Sequence, residues 1–323
     1  MAENLSPAQI APIAIFAYRR PDHLRNTLQS LVRCEGFVGS KLFVFCDGPK
    51  SDAERADVEA TRAVARELLG EAAEYHFSEK NRGLSTSVIA GVNTVLDRFD
   101  RVIVIEDDLE LASDFLVYMN DALDRYAGDE RVYQVSGYMF NAREIGKAGT
   151  AVFLPFTSSW GWATWRRAWT AFEADAPGWP HLLSDAGLRY RFNIDGTYDF
   201  SSMLVRQMLG FRDSWAVRWC WSVFRRNGLV LYPPASLVKN TGFDGSGTHG
   251  RGVLRHFSDG KADSARIGIS MPSQIAIDQA SYGHVKRALW QQNGRWLGRL
   301  TDSVRWWRTC RLAARHLESG SKA

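Results

Sequence analysis

The sequence predicts an α/β protein whose central sheet is largely parallel. Three observations predict it. Along residues 13–138, short apolar runs alternate with stretches of helical periodicity, the pattern of successive β-α units. One run, residues 102–105, is Val-Ile-Val-Ile, and four β-branched apolar residues in a row describe a strand buried on both faces. Polar side chains also collect where the strands end, at Arg19, Asp47 and Glu106-Asp107-Asp108, on the edge where such sheets bind ligands.

The elements follow in order. Residues 13–17 are the first strand. A helix comes next, with Pro21 at its first turn and Leu24, Leu28, Leu31 and Val32 as its apolar stripe. Residues 41–46 form the second strand and close on the turn Asp47-Gly48-Pro49. An Ala-rich helix is expected over 52–69 and a short strand over 74–77, leading to the turn Asn81-Arg82-Gly83. A helix over 84–99 returns the chain to the strand at 102–105. Ser113 is the expected N-cap of the next helix, and residues 132–138 are a further strand.

The second half has another composition. Eight of the twelve tryptophans lie between Trp160 and Trp221. Ser158-Ser159-Trp160-Gly161-Trp162 reads as a loop packing indoles against a cleft. Indoles at this density either fill a core or offer flat faces to sugar rings, and the residues alone leave both open. Residues 199–212 read as a helix and 229–232 as a short strand. Asp213-Ser214-Trp215 begins another helix, and either Asp213 or Ser214 suits its cap. Residues 240–252 hold five glycines with Asp244 and His249, a loop able to close over a ligand. Residues 283–316 are helical in pattern, with Leu289, Trp296, Leu300, Val304 and Trp307 as the stripe and a large excess of arginine and lysine. That tail suits either an anionic membrane surface or packing on the domain with its basic face in water. Three regions result: an α/β half at 1–140 with a ligand-binding edge, a Trp-rich half at 141–260 and a basic C-terminal extension at 261–323.

Bulk properties exclude several classes. The net charge of +4 is too mild to indicate nucleic acid by itself. Cys34, Cys46, Cys220 and Cys310 form no CxxC pair, so neither a zinc site nor a disulfide framework is expected. No apolar run has the length of a membrane span, and the first residues lack a signal-peptide pattern. A cytoplasmic protein is expected, with peripheral attachment to the inner membrane as the option that the tail raises.

The chemistry centres on Glu106-Asp107-Asp108. Three adjacent carboxylates repel one another unless a cation joins them or one takes up a proton; the alternative is an acidic strand end turned to solvent. Strand alternation would send Glu106 and Asp108 one way and Asp107 the other.

Residues 102–118, VIVIEDDLELASDFLVY, resemble the EDD strand and helix of N-acetylglucosaminyltransferase I and its relatives. These are inverting glycosyltransferases of the GT-A fold, a Rossmann-like, mostly parallel sheet flanked by helices. The arrangement also resembles bacterial family 2-type sugar transferases, and the likeness runs over residues 12–249. The resemblance implies a role for each matching position. Asp108 would bind a divalent metal, Mn2+ or Mg2+, with His249 as a second ligand. Glu106 and Asp107 would hold the ribose and donor sugar, Asp47 would lie near the base, and Arg19 and Arg82 would contact the donor. Trp160, Trp162 and Trp215 would line the acceptor. Asp213 would be the catalytic base, and the loop with Asp244 would order over the donor. The implied activity is metal-dependent inverting transfer of a hexose or N-acetylhexosamine from a nucleotide sugar, UDP foremost. The acceptor would be a hydroxyl of a bacterial surface or lipid-linked glycan, in polysaccharide biosynthesis. Two other readings compete. A sugar nucleotidyltransferase would share the sheet and the carboxylates, but residues 10–21 lack the Gly-rich loop it needs. A non-catalytic glycan-binding protein would leave the carboxylates without a purpose.

Overall fold

The computed structural model describes residues 10–141, 145, 149–244, 268–292 and 296–320, with backbone alone at 244, 292, 296–300 and 317–320. The strands are β1 (Ile13–Ala17), β2 (Leu42–Cys46), β3 (Ala73–Phe77), β4 (Arg101–Glu106), β5 (Leu109–Leu111), β6 (Val132–Ser136), β7 (Val152–Leu154), β8 (Trp162–Trp165), β9 (Leu229–Tyr232) and β10 (Val238–Asn240). The helices in the first half are α1 (Pro21–Val32), α2 (Arg55–Leu69), α3 (Leu84–Leu96) and α4 (Phe115–Arg125). Then come α5 (Arg166–Trp169), α6 (His181–Ser184), α7 (Ala186–Phe192), α8 (Phe200–Met208) and α9 (Trp215–Arg225). The last two are α10 (Gln279–Gln292) and α11 (Trp296–Gly320).

Eight strands form one sheet in the order β3-β2-β1-β4-β8-β6-β9-β7. The expected α/β architecture with a mostly parallel central sheet is present. β3, β2, β1 and β4 are mutually parallel, and α1, α2 and α3 make the crossovers between them in chain order, as parallel pairing demands. Every side chain of β1 is buried, and Val102 to Ile105 of β4 are fully enclosed, so the continuous apolar runs are explained by helices on both faces. β8 lies antiparallel between β4 and β6, and carries the sheet without interruption into the second half of the chain. Parallel register places Ala17, Cys46 and Glu106 at the same edge.

A second, two-stranded ribbon pairs β5 with β10, Leu109 opposite Asn240. It holds the start of the glycine-rich segment beside the residues that leave β4.

The tail is two helices where one was expected. α10 buries Val285 and Leu289, and α11 buries Thr309 and Ala313. Lys286 pairs with Asp195 at 2.7 Å, Arg305 with Asp199 at 3.4 Å, and Arg189 lies 4.9 Å from the Trp306 ring. The expected stripe therefore does not continue through the tail. Leu289 is inside, but Val304 and Trp307 are exposed, since α11 turns Thr309 and Ala313 toward the protein instead. The side chains of Trp296 and Leu300 lie outside the described residues. No described helix is long and apolar enough to cross a membrane.

Candidate active site

The acidic triplet sits at the end of β4 and meets a cation of the protein's own. Asp107 is 4% exposed, which removes the solvent-facing alternative. Its carboxylate accepts the Tyr18 backbone N–H at 2.9 Å and Arg20 Nη2 at 2.5 Å. The same Nη2 donates to Asp108 Oδ2 at 2.9 Å. Strict alternation would have separated these two acids; the chain turns directly after Glu106 and brings both to one guanidinium. Thr27 fixes the turn by donating its hydroxyl to the Asp107 carbonyl at 2.8 Å.

Charge and burial oppose each other here. Burial works against the charge of Arg20, but Asp107 and Asp108 outweigh it and hold its pKa above the ordinary value. Burial, then the neighbouring charges of Asp108 and Asp107, pushes Glu106 above the usual carboxylate range. Burial also raises Asp107, against the pull of Arg20.

Arg20 was not singled out in the sequence; Arg19 was. Arg19 has φ +20°, a conformation uncommon for a residue with a side chain. Arg19 itself reaches Glu54 at 3.3 Å, while the next residue enters the acids. The sequence signal was present, since Arg19 and Arg20 follow β1 after Tyr18 alone, but only the backbone torsion decides between them.

Asp47 organises the neighbouring strand end. Its N–H bonds to the Ala17 carbonyl at 3.3 Å. Its carboxylate accepts the N–H groups of Gly48, Arg82 and Gly83, each within 3.0 Å, and so ties the Asn81-Arg82-Gly83 turn to β2. Arg82 is exposed. A cleft of ≈ 270 Å³ opens here, lined by Asp47, His76, Phe77, Arg82 and Ser87 among others.

Asp213 reaches this turn from the second half. Gly83 is the N-cap of α3 and has no side chain to cap with; Asp213 Oδ2 lies 3.4 Å from the N–H of Ser85 in that helix's first turn. The start of α9 is capped by Ser214 instead, through its bond from the Val217 N–H. Asp213 is exposed and stands beside the N-terminus of α3.

On the other flank, the glycine-rich segment begins against Asp108. Thr241 bonds the Asp108 carbonyl, and a Cβ on Gly242 would stand 2.2 Å from Asp108 Oδ2. Phe243 packs edge-on to Trp160 with ring centroids 5.6 Å apart. Trp160 thus stands beside the stem of that segment, partly buried. Trp162 and Trp215 are 0% and 2% exposed and stack on each other at 5.0 Å; they serve the core, the first of the two readings of the tryptophans. The side chain of Asp244 and all of His249 lie outside the described residues.

Asp108 Oδ1 is buried without a hydrogen-bond partner. Among the described residues no three acidic, histidine or cysteine side chains converge to hold a metal. One free carboxylate oxygen nevertheless fits a magnesium-type ion, which takes one or two protein carboxylates and completes its shell with substrate phosphates and water.

Residues 91–201 match the GNT-I family, a segment that contains the acidic triplet and Trp160-Gly161-Trp162. The chain is 24% identical over 201 residues to an alpha-1,3-mannosyl-glycoprotein 2-beta-N-acetylglucosaminyltransferase of Arabidopsis thaliana. That alignment covers 58% of this chain and 44% of the plant protein, so the chain matches less than half the length of that relative. The resemblance to N-acetylglucosaminyltransferase I carried by residues 102–118 is borne out by both matches.

Proposed function

We propose that the protein is an inverting glycosyltransferase that moves N-acetylglucosamine from a nucleoside-diphosphate sugar, UDP foremost, to a hydroxyl of a glycan. The observation that carries this reading is the convergence at one sheet edge of Arg20, Asp107 and Asp108 with the Gly242 stem. The triplet lies inside the segment that matches the GNT-I family. The sugar is chosen on the name of the plant relative. The acceptor, a bacterial surface or lipid-linked glycan, rests on the sequence resemblance alone.

In this reading the cleft beside Asp47 and His76 receives the base, and Asp107, held by Tyr18 and Arg20, faces the ribose and donor sugar. Asp213 takes the proton of the attacking hydroxyl, a step that a positioned carboxylate accelerates by about 10²–10⁴-fold. Arg20 would counter the negative charge that builds on the departing diphosphate. A divalent cation, when bound, would add Lewis-acid stabilisation of that leaving group, with Asp108 Oδ1 as the protein's ligand. Trp160, beside the stem at Phe243, offers an aromatic edge to the acceptor.

Isothermal titration of the full chain with UDP, in the presence and absence of manganese, tests the donor site. Binding that strengthens with manganese is expected. Absence of nucleoside-diphosphate binding with either manganese or magnesium would remove the proposal.

A further inference from the structure

We propose that the outward face of α11 docks the protein onto an anionic phospholipid surface. At 3.6 residues per turn, Val304, Trp307, Arg308, Arg311 and Arg315 fall within an arc of about 100° and along about 17 Å of the helix. All five are exposed, Val304 to 50% and Trp307 to 53%. The opposite side is committed to the protein: Thr309 and Ala313 are buried, Trp306 lies under Arg189, and Arg305 bonds Asp199. The helix is therefore fixed in rotation, and its basic aromatic face is the one left to solvent. Asp302 lies on the docked side, bonded to Arg305 at 2.9 Å, and Glu318, at the C-terminal end of the helix, is the one acid whose helical position falls within the arc among the described residues.

The chemistry favours lipid. The Arg311 guanidinium sits 4.1 Å from the centroid of the Trp307 ring, a cation–π pair. It presents an indole and a positive charge together, as the headgroup region accepts them. Three arginines against the single Glu318 leave the face net positive and complement an anionic leaflet, where each arginine contributes roughly fivefold in partitioning. The face is independent of the sugar-transfer site, so its test is too.

Removing the whole tail is a poor test, because Val285, Leu289 and Ala313 belong to the core. Surface substitutions avoid this. The full chain should co-sediment with phosphatidylcholine vesicles containing phosphatidylglycerol and scarcely with phosphatidylcholine alone. Replacing Arg308, Arg311 and Arg315 by Gln should lower partitioning about a hundredfold. Trp307→Ser should lower it several-fold, with unchanged melting by circular dichroism in both variants. Wild-type protein that stays in the supernatant with the anionic vesicles would overturn the proposal, as would variants that bind like wild type. Sedimentation velocity showing a dimer that Trp307→Ser dissociates, without vesicle binding, would overturn it in favour of a protein interface.

Discussion

Thr241 donates both its backbone N–H, at 2.8 Å, and its hydroxyl, at 3.0 Å, to the carbonyl oxygen of Asp108. The bond joins the end of β4 to the stem of the glycine-rich segment, and the β5–β10 ribbon holds the two in register. Residue 242 is consequently pressed against the carboxylate proposed to meet the metal.

Gly242→Ala tests that contact. The added methyl would stand 2.2 Å from Asp108 Oδ2 and 3.0 Å from Arg20 Nη1, so one of these groups must move. Overpacking of this kind costs about 1–3 kcal/mol, and a displacement near 1 Å at a reacting centre costs about 100-fold in rate. We expect a folded protein with a modestly lowered melting temperature and nearly abolished sugar transfer, read as release of nucleoside diphosphate. Wild-type turnover would show that the stem does not position Asp108.

Arg20 and Arg19 should separate sharply. Arg20→Met leaves Asp107 and Asp108 without their shared cation, and their side chains are only 5% and 13% exposed. Breaking a buried pair from one side costs roughly 3–5 kcal/mol. Arg19 is 41% exposed and meets the rim acid Glu54 and the Tyr18 ring, so Arg19→Met should cost under about 1 kcal/mol. Thermal melts of the two variants check this, and manganese should restore part of the stability lost in Arg20→Met. Equal melting temperatures would refute the assignment of Arg20 as the internal counter-ion.

What the sequence disclosed and what it hid follow one distinction. The acids of Glu106-Asp107-Asp108 were legible because an apolar β-branched run ending in charge is a local pattern. The parallel half of the sheet was legible for the same reason. β8 was not: Trp-Ala-Thr-Trp is four residues long, lies in a tryptophan-dense stretch, and is a strand only because β4 and β6 flank it. Asp47 could be named from its place after β2, but its hold on the Arg82 and Gly83 amides is a contact across 35 and 36 residues. The tail's arginines were visible at once. Which face they occupy depended on where α10 ends and on which turn of α11 packs against α8.

Asp213 has two roles that substitution can separate. It caps α3 from another part of the chain through the Ser85 N–H, and it is the proposed base. Asn caps a helix about as well as Asp but cannot accept the acceptor's proton. Asp213→Asn should therefore melt within about 0.5 kcal/mol of wild type, retain UDP binding, and lose turnover by about 10²–10⁴-fold. Asp213→Ala should lose stability as well, by about 1 kcal/mol. Turnover in Asp213→Asn equal to wild type would leave Asp213 with the capping role alone.

Asp199 sets a pH dependence at the junction of α8 and α11. It caps α8 through the Ser202 N–H at 3.1 Å and meets Arg305 at 3.4 Å. Burial pushes its pKa from 3.8 to about 6, against the pull of the Ser202 bonds. The folded state thus holds this proton more tightly than the unfolded chain. Its contribution to stability is fully present below about pH 4 and is lost as pH rises to about 6, to the extent of about 2–3 kcal/mol. Asp199→Asn removes the titration while retaining a good N-cap, and Arg305 keeps its bond to Asp302 at 2.9 Å. Urea unfolding across this range should show wild-type stability falling relative to the variant up to about pH 6, and a constant difference above it. Parallel curves throughout would mean that Asp199 titrates near its unfolded value and that burial against α11 does not govern its proton.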